Sequence, residues 1–298
     1  MMKSISLVTV VHPKAMRYFP RFLESVASQS TKGFMVTVFY QNISQDEVEI
    51  LLDKSALHDY EIVKIDEKLS ISKGRELVMH HIRKQDAEVF LFLDCDDFIN
   101  PTYVRELSEV LLSKKCKIAF SDVTLYYSET KKIVPNYFSD LVPTEIDLSF
   151  IQEKNCLGLG NTGIRAELLG NIPKFPEDII AVDWWFFTNL LFNYKITARF
   201  VPTTSIFYRL YESNTAGFSN LSSERIFLGA KVKKLHYENL QHLGEPFVTL
   251  YNDYNCLYKQ LNEDPSFAER YIKYVMEKYE KRKYLWWEPI ERPRWLSC

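Results

Sequence analysis

Four short apolar runs fall within the first hundred residues: SISLVTVV (4 to 11), VTVFYQ (36 to 41), IVKI (62 to 65) and VFLFLD (89 to 94). Between them lie segments with apolar residues at helical spacing. Strands side by side and parallel need a connection long enough to return across a sheet face, so this rhythm is the signature of a mostly parallel sheet with crossover helices. Helices are expected over 14–29, where Tyr18, Phe22, Val26 and Gln29 share a face, then over 45–54 and 72–84. VFLFLD is apolar up to its last residue, which predicts a strand buried on both faces.

Beyond that strand, Asn100 as a cap and Pro101 at the first helical position predict a helix running to about Leu112. KIAFSDVTLYY and KKIVPNYF read as a strand pair at the far edge of the sheet. Residues 140–180 are irregular, with LGLGNTG (157 to 163) as their glycine-rich point. A dense apolar segment, WWFFTNLLF (184 to 192), precedes short strands near 196–201 and 204–209, and 223–243, 247–262 and 265–284 look helical. The expected division is an α/β domain over 1–220, in halves of about 1–125 and 126–220, followed by a helical region and an aromatic, basic tail over 221–298.

A formal charge of -2, from 37 basic and 39 acidic residues, argues against a surface built for nucleic acid. Five scattered cysteines in odd number, with no CxxC pair, argue against a disulfide framework and suit a reducing cytoplasm. The opening MMKSISLVTVV is too short for a signal peptide, and no run approaches the roughly 18 apolar residues that span a bilayer.

VFLFLD runs directly into CDD, so Asp94, Asp96 and Asp97 crowd the carboxyl end of a buried strand. Two carboxylates about 4 Å apart repel by roughly 4 kcal/mol at an effective dielectric near 20. Helix capping explains at most one of them, and a solvated acidic turn is the plain alternative. In open α/β sheets, however, ligands bind beyond the carboxyl ends of the strands. A divalent cation, Mn2+ or Mg2+, held by Asp96 and Asp94 with Asp97 as a further candidate, would remove the repulsion and could hold a diphosphate.

At these residues the sequence resembles the family 2 glycosyltransferases, which have the GT-A fold. SLVTVVHPKAMRYFPRFLESVASQS resembles the family's opening strand and helix, QNISQDE its second-strand segment and SISKGRELVM its "S.A.RN.G" element. FLFLDCDDFINPTYVREL resembles the DxD segment, AVDWWFFTNLL the acidic motif before the acceptor-side helix, and FYRLYESNTAG the late "YR.H....S" element. The resemblance implies an inverting, metal-dependent enzyme that takes a sugar from a nucleotide diphosphate, UDP first among them. The acceptor would be a glycan or a lipid-linked saccharide in surface polysaccharide synthesis, at the inner face of the cell membrane. It implies Asp94 and Asp96 as the DxD pair, Asp183 as catalytic base, and Thr9, His12, Asn42, Lys73, Arg75 and Arg209 around the nucleotide sugar. Asn42 replaces a frequent aspartate, Glu76 a frequent asparagine, and Leu210 and Tyr211 stand where a histidine is usual.

Each residue also has a plainer use. Asp183 could cap the apolar helix behind it, and Lys73 and Arg75 could be a solvated helix face. Asn161 and Thr162 could line the acceptor side or form an ordinary turn; Trp184 and Trp185 could stack on a sugar or fill the core. His80 and His81 have no companion at metal spacing. In the tail, Lys278, Lys281, Arg282 and Lys283 with Trp286, Trp287 and Trp295 suit an anionic membrane surface, while tryptophans packed back on the helices, or a homodimer through 223–284, are the alternatives. Two other activities fit an α/β sheet of this kind. One is a sugar-1-phosphate nucleotidyltransferase, whose first loop is usually glycine-rich, unlike VHPKAMRYFP here; the other is a sugar-nucleotide or glycan-binding module without turnover.

Overall fold

The computed structural model describes residues 4–211 and 221–296; the end of FYRLYESNTAG and Cys298 lie outside them. The first half alternates as its apolar rhythm requires: β1 (Ile5–Val11), α1 (Phe19–Ala27), β2 (Met35–Tyr40), α2 (Gln45–Asp53), β3 (Tyr60–Lys64), α3 (Ile71–Ile82), β4 (Val89–Phe92). Then follow β5 (Phe98–Ile99), α4 (Tyr103–Leu112), β6 (Ile118–Tyr127), β7 (Ile133–Val134), β8 (Glu145–Ile146), β9 (Thr162–Arg165), α5 (Val182–Tyr194) and β10 (Ala198–Leu210). Three helices, α6 (Ser223–Glu238), α7 (Phe247–Glu263) and α8 (Pro265–Tyr279), close the described chain before the tail.

One sheet runs through the molecule in the order β3-β2-β1-β4-β9-β6-β10-β5. β3, β2, β1 and β4 are parallel, β9 is antiparallel to both neighbours, and β6 and β10 are parallel. From β1 the chain first adds strands on one side and then returns to place β4 on the other. The carboxyl ends of β1 and β4 therefore flank the point where strand order reverses, the usual crevice for a nucleotide in such sheets. Every residue of β4 is buried, as its uninterrupted apolar run requires.

Several expectations need correction. The strand pair placed at the far edge is not there: β6 lies between β9 and β10, and only β7 is a short outer partner. The irregular stretch contains β9, whose Gly163 lets it sit under the core; a Cβ there would fall 2.4 Å from Leu91 Cδ2 and 3.0 Å from Leu111 Cδ1. Gly163→Ala should therefore overpack the sheet and cost about 1–3 kcal/mol, read as a thermal midpoint lower by several degrees. The two strands expected near 196–209 are one strand with an irregularity between Val201 and Ser205.

Helix α4 starts at Tyr103, not at Pro101. Asn100 Oδ1 accepts from Thr102 N (3.1 Å) in a turn ahead of the helix, and the Val104 N–H of the first turn is taken by Gln29 Oε1 at 2.9 Å. Among the cysteines, Cys95, Cys116 and Cys156 are free thiols, while Cys256 is disulfide-bonded.

The C-terminal helices pack onto α5 and the segment before it. Trp184 stacks on His236 at 3.8 Å between ring centroids, and Tyr237 donates to the Gln152 carbonyl at 2.9 Å. The tail then returns to the α/β half, where Asn155 and Trp286 exchange backbone hydrogen bonds at 2.9 and 3.1 Å. Trp286 is buried against Phe138 and Tyr208, and Trp295 packs on Phe267. Among the described residues no helix is long and apolar enough to cross a membrane.

Candidate active site

The carboxylate cluster is a tight turn hung between β4 and β5. Asp97 N donates to the Asp94 carbonyl at 3.1 Å, and the turn sends alternate side chains opposite ways. Cys95 points into the core, where its thiol donates to the Val10 carbonyl at 3.1 Å. Burial pushes that thiol well above its ordinary range, with the Asp96 and Asp94 charges adding to the effect.

The three aspartates have different partners. Asp94 Oδ1 accepts from Arg75 of α3 at 3.1 Å. Asp96 Oδ2 accepts from the Tyr211 hydroxyl at 2.5 Å, while burial, then the Asp94 charge, push its carboxyl up against the lowering effect of that bond. Asp97 is 3% exposed and accepts from the Arg209 backbone N–H at 2.7 Å. Its carboxyl is raised well above the usual range, by burial and then by Asp96 and Asp94. Asp97 therefore clasps the turn to β10, a structural use for a residue expected as a further candidate for the metal.

Arg209, expected near the diphosphate or acceptor, is bound to the aspartate turn itself. It is 6% exposed, its Nε donates to the Asp96 carbonyl at 2.6 Å, and its guanidinium lies 4.4, 5.1 and 5.4 Å from the rings of Tyr18, Tyr126 and Phe98. A cation enclosed by three rings is stabilised where it sits, so Arg209 holds the aspartate turn in place from beneath. Tyr18 and Tyr211 complete this support, their rings 5.4 Å apart. Sequence reasoning assigned Tyr18 to the apolar face of a helix and Tyr211 to a departure from the family pattern. The signal missed for Tyr18 was Pro20, which belongs in a first turn and starts α1 only at Phe19.

Lys73 also differs. Its ammonium donates to Glu76 Oε2 at 2.7 Å and to the Phe175 carbonyl at 2.5 Å, and Ser72 donates to the Pro176 carbonyl at 2.6 Å. These bonds brace the first turn of α3 against the loop before α5, so Lys73 is engaged in structure where a phosphate contact was expected. Thr9, at the end of β1, is buried, and its hydroxyl has no hydrogen-bond partner among the described residues. His12 is half-buried; burial, with the Arg75 and Lys14 charges, lowers its pKa against the raising effect of the nearby Asp96 and Asp94. Asn42, in the left-handed region at φ 58°, lines a cleft of about 660 Å3 at the ends of β2 and β3 with Tyr40, Lys64 and Glu67.

Across the crevice, Asp183 stands in the first turn of α5, where its Oδ1 accepts from Trp184 N at 2.8 Å. The capping position itself belongs to Ala181, which has no side-chain bond to give. Burial pushes the Asp183 carboxyl up to about 6, and the Asp94 charge adds to this while the Trp184 N–H and Arg75 oppose it. The loop 157–161 separates Asp183 from the aspartate turn. A Cβ on Gly160 would lie 2.7 Å from Asp94 Oδ2, and one on Gly158 would lie 3.4 Å from Asp183 Oδ2. The two glycines let the loop backbone approach both carboxylates.

The residues expected on the acceptor side are inside the protein. Asn161, Thr162 and Trp184 are fully buried and Trp185 is 2% exposed. The Asn161 amide donates to the Ser121 and Cys156 carbonyls and its Oδ1 accepts from Gly158 N at 2.8 Å. It shapes the glycine loop from behind, because a buried amide keeps all its polar atoms paired. Perturbed carboxylates gathered at a strand-order reversal are the physical mark of a functional site.

The family model described as Glycosyl transferase family 2 matches residues 6–172. The chain belongs to this family. No curated protein matches the sequence significantly. Among solved structures, S. aureus TarS 1–349 superposes with a TM-score of 0.60 at 14% identity, over 94% of this chain and 82% of that one. The same fragment in complex with UDP-GlcNAc gives 0.59 at 15%, over 93% and 81%. The mannosyltransferase PcManGT from Pyrobaculum calidifontis, in complex with GDP-Man and Mn2+, gives 0.62 at 11%, over 95% and 77%. At such identities the likeness establishes the fold: a central sheet flanked by helices, as in the GT-A glycosyltransferases. The protein is a family 2 glycosyltransferase whose matched segment holds the aspartate turn and the glycine loop, and leaves α5 and everything after it outside.

Proposed function

We propose that the protein is an inverting, metal-dependent enzyme that moves a sugar from a nucleotide diphosphate, UDP first among them, to a hydroxyl of a glycan or lipid-linked acceptor in surface polysaccharide synthesis. The carrying observation is that Asp94 and Asp183 meet the two glycines of one loop, which brings the aspartate turn and the first turn of α5 together. The UDP-GlcNAc complex of TarS and the GDP-Man and Mn2+ complex of PcManGT support a nucleotide sugar as donor and a divalent cation as cofactor.

Among the described residues no three His, Cys, Asp or Glu side chains form a ready-made metal cage. Two adjacent carboxylates fit a hard cation that completes its shell with diphosphate and water oxygens. Asp96 and Asp94 are the residues to hold Mn2+ or Mg2+, which when bound offsets the charge developing on the departing diphosphate. Arg75 and Tyr211 fix the two carboxylates, and the cleft beside Asn42 would take the base. Asp183 takes the proton of the acceptor hydroxyl as its oxygen attacks the anomeric carbon opposite the leaving diphosphate, which inverts that centre.

A thermal-shift screen of nucleotide diphosphates and their sugars, with and without Mn2+, tests this directly. A ligand at a hundred times its Kd adds about 2.7 kcal/mol, or roughly 5–10 °C in midpoint for a chain of this size. If no nucleotide diphosphate raises the midpoint with Mn2+ present, the proposal fails.

A further inference from the structure

Residues 151 to 155 are each held by a part of the chain that lies after residue 172, where the match to the family model ends. The Ile151 carbonyl accepts from Trp184 Nε1 of α5 at 2.7 Å, and the Gln152 carbonyl accepts from the Tyr237 hydroxyl of α6 at 2.9 Å. Glu153 Oε2 accepts from the Tyr254 hydroxyl of α7 at 2.9 Å, and Lys154 pairs with Glu288 of the tail at 3.8 Å. Asn155 then forms an antiparallel bridge with Trp286, each backbone N–H donating to the other's carbonyl. Residues 147–161 lie between β8 and β9 and belong to no helix or strand. Backbone without a ladder of its own is placed by whatever satisfies its polar groups, so the C-terminal third decides where this segment runs.

The held segment feeds straight into the glycine loop. Asn155 turns the chain with its own side chain, its Oδ1 accepting from Leu157 N at 3.0 Å and its Nδ2 donating to the Leu157 carbonyl at 3.1 Å. A Cβ on Gly158 would meet the Trp286 ring edge at 3.3 Å and Asp183 Oδ2 at 3.4 Å. One indole and the proposed base therefore stand against the same glycine, and Gly160, two residues on, stands against Asp94. Trp286 is itself fixed: it is buried, with its ring edge-on to Phe138 and Tyr208 at 5.3 and 5.8 Å between centroids. The next residue, Trp287, lies in the left-handed region at φ 65°, a conformation that a bulky side chain adopts only where its surroundings impose it. The path of the tail at this point is set by its contacts with the α/β half and not by local preference.

We propose that Trp286 and Tyr237 are positioning residues for the transfer: by holding residues 152–158 they fix the loop between the aspartate turn and Asp183, so the C-terminal third completes the active site. The proposal rests on the reading of Asp183 as base and extends it to a part of the chain outside the family match. Trp286→Phe keeps the main-chain bridge to Asn155 and an aromatic ring, but the ring is too short to reach Gly158. Tyr237→Phe deletes the bond to Gln152 and leaves every ring in place. Hydrogen exchange of the ligand-free full chain reads the loop. The Leu157, Gly158 and Asn161 N–H groups donate to Asn155 Oδ1, Asn161 Oδ1 and the Gly158 carbonyl. They should exchange about tenfold or more faster in Trp286→Phe and about threefold or more faster in Tyr237→Phe, with β1 and β4 unchanged. Release of UDP from UDP-glucose, UDP-galactose or UDP-N-acetylglucosamine in Mn2+, with water as acceptor, reads the chemistry. In the variants kcat should fall by about the same factors while KM stays within about twofold. Loop exchange equal to the wild type in both variants, exchange that rises equally in β1 and β4, or a raised KM with unchanged kcat overturns the proposal. Asp183→Asn is assayed beside them. If it keeps the wild-type kcat, or if the wild type releases no UDP, the reading of Asp183 fails, and the exchange rates by themselves still decide whether Trp286 and Tyr237 place the loop.

Discussion

Asp183→Asn should lower sugar transfer by about 10²–10⁴-fold, the range a positioned base contributes, and leave UDP–Mn2+ binding unchanged. The substitution keeps the Oδ1 that accepts from Trp184 N, so α5 loses no hydrogen bond and the effect isolates the missing base. A binding module would show no transfer to lose, and the assay separates the two. In the wild type, transfer should rise with pH through about 6, where the Asp183 carboxyl gives up its proton, and level off above it. Stability should run the other way. Folding raises this carboxyl from an unfolded value of about 3.9, so the folded state holds more protons between the two values and loses stability as pH rises through that window. Two units correspond to about 3 kcal/mol at most. Urea denaturation should therefore find Asp183→Asn more stable than the wild type above pH 6, with the difference closing toward pH 4.

Asp96→Asn should abolish the Mn2+-dependent part of UDP binding, measured as loss of the midpoint shift that Mn2+ and UDP together give the wild type. Burial and the Asp94 charge hold the Asp96 carboxyl above its usual range, so the turn without a cation carries a repulsion that the variant removes. The ligand-free variant should consequently melt at or above the wild-type midpoint. A wild-type-sized shift with UDP in Mn2+ would show that Asp96 does not hold the cation. Adding EDTA to the wild type should reproduce the variant's binding defect without its gain in ligand-free stability, since chelation removes the cation and leaves the carboxylate charge.

The elements up to β4 were legible because each follows from local pattern. Apolar runs of four to eight residues cannot stay in water, and the helical segments between them have faces that must cover the sheet. The start of α4 was less legible, because Gln29, seventy-five residues away, supplies the bond to Val104 that Asn100 was expected to make. The place of β6 was hidden for a similar reason. Its neighbour β9 comes from a glycine-rich stretch with no strand pattern, admitted between β4 and β6 because Gly163 has no side chain to exclude it.

By itself the sequence determined the α/β rhythm, the buried strand that ends in Asp94, Asp96 and Asp97, and the apolar helix that carries Asp183, since each depends on residues within one short segment. Tertiary structure alone decided what those carboxylates meet. It gave Asp94 to Arg75, Asp96 to Tyr211 and Asp97 to the Arg209 backbone, and it withdrew Lys73, Arg209, Asn161, Thr162, Trp184 and Trp185 into structural contacts. The reason is the balance at a buried charge or amide: removing it from water costs several kcal/mol unless a partner stands within hydrogen-bond reach. Which residue stands there is fixed by how β4, β10, α3 and the tail pack together.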